Sequence, residues 1–90
     1  MIRNARLAKE LLRIIVDEDN GGGGLYRSEI QAVFAEKYPG VEPGREEAVN
    51  YHLHILETGG FVKVTPDLDE DFELANFEMT WAGHDLLDAS

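Results

Sequence analysis

Apolar residues near the start of the chain recur at helical spacing. Ala8, Leu11, Leu12 and Ile15 share one stripe, with Ala5 and Val16 on its flank, and the pattern predicts a helix over residues 5–17. Residues 17–24 carry no apolar side chain and end in the run Gly21 to Gly24, which holds no helix and reads as a flexible loop. A second helix is expected over residues 29–38: Ile30, Val33 and Phe34 supply its apolar face, Ser28 and Gln31 a capping-box pattern, and Pro39-Gly40 the stop. Pro43-Gly44 leads into a third helical pattern, Arg45–Thr58, closed by Gly59 and Gly60. The period then changes. Phe61, Val62, Val64 and Thr65 read as one strand, residues 72–79 as its antiparallel partner and residues 66–71 as a polar loop between them. Thr80 stands where a cap belongs, before a short amphipathic helix carrying Trp81, Leu86 and Leu87.

The order helix, short strand, helix, helix, hairpin, helix is that of a winged helix-turn-helix. This is an α+β fold of three to four helices with a small antiparallel hairpin as the wing. Ninety residues suit a single domain, 1–90, with one core. The buried side of the third helix is expected to hold Val49, Leu53, Leu56 and Ile55, with Ala48 close by. Trp81, Phe61, Phe72, Phe77 and Tyr26 are the large residues available to fill the core.

Charge bears most directly on function. Eighteen acidic residues against eight basic ones give a net charge of -10, which opposes binding by neutralisation of phosphates. Half of the cations, Arg3, Arg6, Lys9 and Arg13, fall on an arc about 120° wide beside the first helix's apolar stripe. The wing carries Asp67, Asp69, Glu70, Asp71 and Glu73, with Lys63 at its base, where a DNA-binding wing would carry lysine or arginine. Within a Debye length of about 8 Å these carboxylates act together and repel a duplex.

Catalytic and cofactor chemistry find little support. The chain has no cysteine, so neither a disulfide nor a thiolate nucleophile or metal site is available. Gly21 to Gly24 lacks the spacing of a phosphate-binding loop. Asp67-x-Asp69-x-Asp71, with Glu78 in the twelfth place, has the ligand spacing of a calcium loop. Phe72 replaces its glycine, however, and the flanks read as strands. His52 and His54 lie about 200° apart on a helix and cannot share a metal, and His84 is expected to order the last helix. Ser28 and Thr80 read as caps and not as nucleophiles. The expectation is a non-enzyme with no metal and no cofactor. The apolar stretch of residues 11–16 is broken by Arg13 and precedes no cleavage signal, so a cytoplasmic protein with no membrane segment is expected.

Two strings carry a family resemblance. EEAVNYHLHILETGGFVKV is similar to a helix-then-strand pattern of the form YHLKLLxEAGLI. MTWAGHDLLDA, with Trp81, Gly83, His84 and Asp88 in register, is similar to a closing pattern LTWEGHEFLDA. Both fall within the half of the chain from Arg45 to Ala89, which resembles the bacterial and phage family catalogued as domain of unknown function 2513. The resemblance implies a winged-helix fold and a prokaryotic or phage source, and brings no activity or catalytic residue with it. The sequence departs from the pattern in its glycine loop and in ending where the last helix is expected to continue.

The expected function is protein binding through the acidic wing and the outer face of the third helix. The residues are Glu47, Asn50, Tyr51 and His54 on the helix and Asp67, Asp69, Glu70 and Asp71 on the wing. A basic, nucleic-acid-handling partner fits this charge. In a phage setting the chain reads as an inhibitor whose carboxylates stand in for phosphates. The alternative is a sequence-specific DNA-binding regulator with Arg45, Asn50 and His54 in the major groove and Arg3, Arg6, Lys9 and Arg13 on phosphates. A further alternative is an oligomeric accessory module, such as a homodimer paired through the last helix.

Overall fold

The longest apolar stripe in the chain forms the helix around which the rest assembles. The structure, a computed structural model, describes residues 2–19, 21–40 and 43–89. In chain order its elements are α1 (Ala5–Glu18), β1 (Leu25–Tyr26), α2 (Arg27–Lys37), α3 (Arg45–Thr58), β2 (Val62–Thr65), a 3-10 turn (Phe72–Leu74), β3 (Asn76–Met79) and α4 (Trp81–Asp88). Asn4 starts α1 by accepting the Leu7 N–H on its side-chain oxygen at 3.2 Å. The helix then packs against α2, α3, α4 and β3. Cover on several sides explains why Ala8, Leu11, Leu12, Ile14 and Ile15 are all buried, Ile14 lying beyond the expected stripe.

Leu25, Ile30, Phe34, Val49, Leu53, Leu56, Val62 and Phe77 complete one core. Each large apolar side chain buried there contributes about 1.5–3 kcal/mol. The sheet is antiparallel with strand order β1-β3-β2. Its central strand places Phe77 opposite Leu25 on one side and Val64 on the other. The result is an α+β architecture of four helices and a three-stranded sheet among the described residues, compatible with a helix-turn-helix followed by a hairpin. No described helix is long and apolar enough to cross a membrane.

Several expectations change. Helix α2 begins at Arg27, two residues before the expected start, because Glu29 accepts the Tyr26 N–H at 3.0 Å. Ser28 is therefore not the cap. Residues 72–74 form a 3-10 turn and not the start of a strand, held by Asp71, whose carboxylate accepts the Glu73 N–H at 3.0 Å. Three aromatic residues expected inside are exposed: Trp81, Phe72 and Tyr26. Tyr26 alternates outward from Leu25, as strand geometry requires. Trp81 lies on the side of α4 away from Gly83, Leu86 and Leu87, which face the body of the protein.

The glycine loop is tied down at its far end. Gly24 donates its N–H to Asp19 at 2.8 Å, and Asn76 donates its side-chain amide to the Gly23 carbonyl at 2.6 Å. Gly24 has φ +90°, and a β-carbon there would come within 2.7 Å of the Phe77 carbonyl, so both conformation and space demand glycine. Residue 20 of that loop, and residues 41 and 42 of the turn expected before α3, lie outside the described residues.

Helix α4 docks closely. A β-carbon on Gly83 would collide with the Phe61 carbonyl and crowd the Met79 methyl. Thr80 caps the helix as expected, accepting the Gly83 N–H at 3.0 Å, and its hydroxyl donates to the Gly60 carbonyl at 2.8 Å. Thr80→Ala removes both bonds and is expected to lower unfolding free energy by about 1–2 kcal/mol, with Thr80→Ser restoring most of it. Chemical denaturation measures this, and an unchanged midpoint for the alanine variant would show that α4 needs no cap.

Candidate functional site

Helix α3 begins after Gly44, whose φ of 91° suits glycine, and its first turn holds Glu46 and Glu47 at the positive end of the helix dipole. Its buried side consists of Val49, His52, Leu53 and Leu56, while Ile55 and Ala48 are half-buried. His52 was not expected there. It occupies the apolar slot three residues after Val49, and both ring nitrogens are satisfied: Nδ1 lies 2.7 Å from the Ala48 carbonyl and Nε2 accepts the Asn4 N–H at 2.9 Å. That bond ties the start of α1 to α3.

The outer side of α3 presents Glu47 and His54 as exposed residues and Tyr51 as a half-buried one, its ring edge-on to His52 at 5.3 Å. Asn50 does not project as expected. It is half-buried towards α2, where its side-chain carbonyl accepts from Arg27 Nη1 at 3.0 Å and from Gln31 Nε2 at 3.1 Å. Bidentate reading of adenine needs that same oxygen. Asn50 therefore serves the α2–α3 junction.

Arg27 is the residue that joins the parts of the surface. Its Nε donates to the Phe72 carbonyl at 3.1 Å, and its guanidinium lies 3.9 Å from the Phe72 ring centre and 4.9 Å from that of Phe77. Burial pushes its pKa below the usual arginine value, against the pull of Glu73 and Glu57. Helix α2, helix α3 and the wing thus meet at one cation. No local pattern marks it, because its partners stand 23 and 45 positions away.

The wing loop is shaped by its own carboxylates. Asp67 accepts the N–H groups of Asp69 at 3.1 Å and Asp71 at 3.3 Å. The calcium-like spacing therefore serves the loop's backbone, and Glu78 sits on β3 with Lys63, 4.0 Å away. Glu70 adopts φ 61°, the one positive φ at a non-glycine among the described residues. Asp69, Glu70 and Asp71 are exposed, together with a fully exposed Leu68 and a 57% exposed Phe72.

Between the wing and the glycine loop lies an open depression of about 560 Å³, walled by Glu18, Asp19, Glu29 and Asp67, with Tyr26 and Leu68 beside them. None of its walls comes from α3. The acidic depression is thus separate from the outer face of α3, while Arg27 links the 3-10 turn at Phe72 to Asn50 of α3. The cations on and just before α1 lie elsewhere. Arg3 and Lys9 border a groove with Ile55, Leu56 and Thr58 near the end of α3, and Arg6, Lys9 and Arg13 border a neighbouring hollow with Glu10. Arg45, at the opposite end of α3, is not among them.

This arrangement is an α+β fold, compatible with a helix-turn-helix followed by an acidic hairpin. Residues 3–90 match the family described as "Hypothetical protein (DUF2513)", and the chain belongs to that family. No curated protein and no solved structure matches it significantly.

Proposed function

We propose that this chain is a non-catalytic, cytoplasmic winged helix-turn-helix protein that binds a basic, nucleic-acid-handling protein through its wing and the outer face of α3. The β1-β3-β2 sheet order, with α2 and α3 preceding the hairpin, supports the winged-helix reading. One observation carries the binding reading: the wing is acidic and apolar at once, with Leu68 and Phe72 exposed among Asp69, Glu70 and Asp71. A duplex offers such a loop only like charge. A protein rich in lysine and arginine offers both opposite charge and apolar contact. The depression beneath the wing is suited to one basic side chain, since its carboxylates retain lone pairs beyond those given to backbone amides. In a phage-encoded protein this surface would act as an inhibitor, imitating a nucleic-acid backbone.

The test replaces Asp67, Asp69 and Asp71 with asparagine and Glu70 with glutamine, which removes charge and keeps acceptor oxygens for the loop. Titrated with arginine-rich peptides and basic nucleic-acid-binding proteins, the wild type should bind with a salt-sensitive affinity, and the variant at least about tenfold more weakly. Equal binding by the two would overturn the reading.

A second reading, a DNA-binding regulator, has one observation in its favour: Arg3 and Lys9 line a groove with Ile55, Leu56 and Thr58 at the end of α3. It predicts a duplex gel shift at low salt that fades as salt rises and persists in the wing variant. The leading reading predicts no shift.

A further inference from the structure

The surface carries a second pair of complementary features away from the wing. The first is the groove between α1, the end of α3 and α4, about 480 Å³, with Ile55, Leu56, Phe61 and Leu86 along it and Arg3 and Lys9 on its rim. Neither cation has an ion-pair partner among the described residues. The second is the outer side of α4. Trp81, Asp85 and Asp88 stand there at i, i+4 and i+7, one helical face, all exposed, with the tryptophan 86% so. Their side chains likewise have no ion-pair partner among the described residues.

An apolar groove with a basic rim and an aromatic ridge with two carboxylates are mutual complements, and both involve α4. We propose that two copies of the chain associate about a twofold axis, each laying Trp81 into the other's groove with Asp85 and Asp88 against Arg3 and Lys9. Twofold symmetry uses each contact twice, as in an isologous interface. Each tryptophan covered this way removes on the order of 150–250 Å² from water, a substantial part of the roughly 800 Å² per partner of a stable interface. The chain's net charge of -10 opposes pairing of copies at low salt, so the contact must be led by its local charge match and its aromatic core. This inference is independent of the wing reading, because no wing residue takes part.

Trp81 is the sole tryptophan, so its emission reports on the contact directly. Sedimentation equilibrium from micromolar to millimolar protein should show a monomer–dimer equilibrium, with emission moving to shorter wavelength as dimer forms. Trp81→Ala should remain monomeric. The pair Asp85→Lys and Asp88→Lys should weaken the dimer at least about tenfold, as should the pair Arg3→Glu and Lys9→Glu, while all four together restore it. Circular dichroism verifies that each variant is folded, and the neutralised wing variant should dimerise like wild type. A wild type that stays monomeric with unchanged emission overturns the proposal, as does a groove that binds only a different protein. Failure of the fourfold charge exchange in folded protein would do the same.

Discussion

Gly83→Ala is expected to lower the thermal midpoint by roughly 10–20 °C, the equivalent of about 2–3 kcal/mol in a domain of this size. An alanine in a helix ordinarily gains about 1 kcal/mol over glycine, so the direction itself is diagnostic. The cause is contact with backbone. The added carbon would meet the Phe61 carbonyl, which belongs to the chain leading into β2 and cannot rotate away as a side chain can. Helix α4 would have to lift from the sheet, loosening Leu86 and Leu87 from the core margin. Ala82→Gly, on the exposed side of the same helix, supplies the comparison and should cost only about 0.5–1 kcal/mol. Thermal unfolding followed by far-ultraviolet circular dichroism measures both. A Gly83→Ala variant as stable as wild type would mean that α4 does not rest on Phe61.

Arg27→Ala should have the next largest effect, roughly 2–3 kcal/mol, and should act on the wing before the rest of the molecule. It removes donors to the Phe72 carbonyl and to Asn50, and the cation lying on two aromatic rings. Charged hydrogen bonds contribute about 1.5–3 kcal/mol each and a cation over a ring about 0.5–2 kcal/mol, the two not being additive. Residues 66–75 should exchange their amide hydrogens at least about tenfold faster, whereas α1 should follow global stability alone. Arg27→Met, which keeps the apolar stem, should fall between the two. Unchanged exchange in that loop would show that the hairpin holds its own position.

Elements whose ends and faces depend on nearby residues are legible in the sequence. Helix α3 runs over Arg45–Thr58 between Pro43-Gly44 and Gly59-Gly60, and Thr80 caps α4. What depends on distant neighbours is not. Ile14 is buried because α1 is covered on several sides, and nothing in its own helix says so. His52 had a usable signal: with Val49, Leu53 and Leu56 it completes an i, i+3, i+4, i+7 stripe, a pattern obscured by its polar chemistry. Trp81 misled in the opposite way, since size alone suggested burial and its place on α4 turns it outward. Of the loop carboxylates, Asp69, Glu70 and Asp71 are exposed, while Asp67 is half-buried and accepts backbone N–H groups of the loop. The turn of Asn50 towards α2 required knowledge of Arg27 and Gln31.

Helix α1 has its charges arranged against its own backbone. No acidic residue lies in its first turn and no basic one in its last; Arg3 and Arg6 stand at the start, and Asp17, Glu18 and Asp19 at the end. Its backbone dipole favours the reverse, so burial of its apolar stripe must hold the helix together. The arrangement separates positive from negative charge along the helix. Fourteen residues separate the two ends by about 21 Å, more than twice the screening distance of about 8 Å in physiological salt. The charges at the two ends of α1 are therefore screened from one another, and each end acts electrostatically by itself.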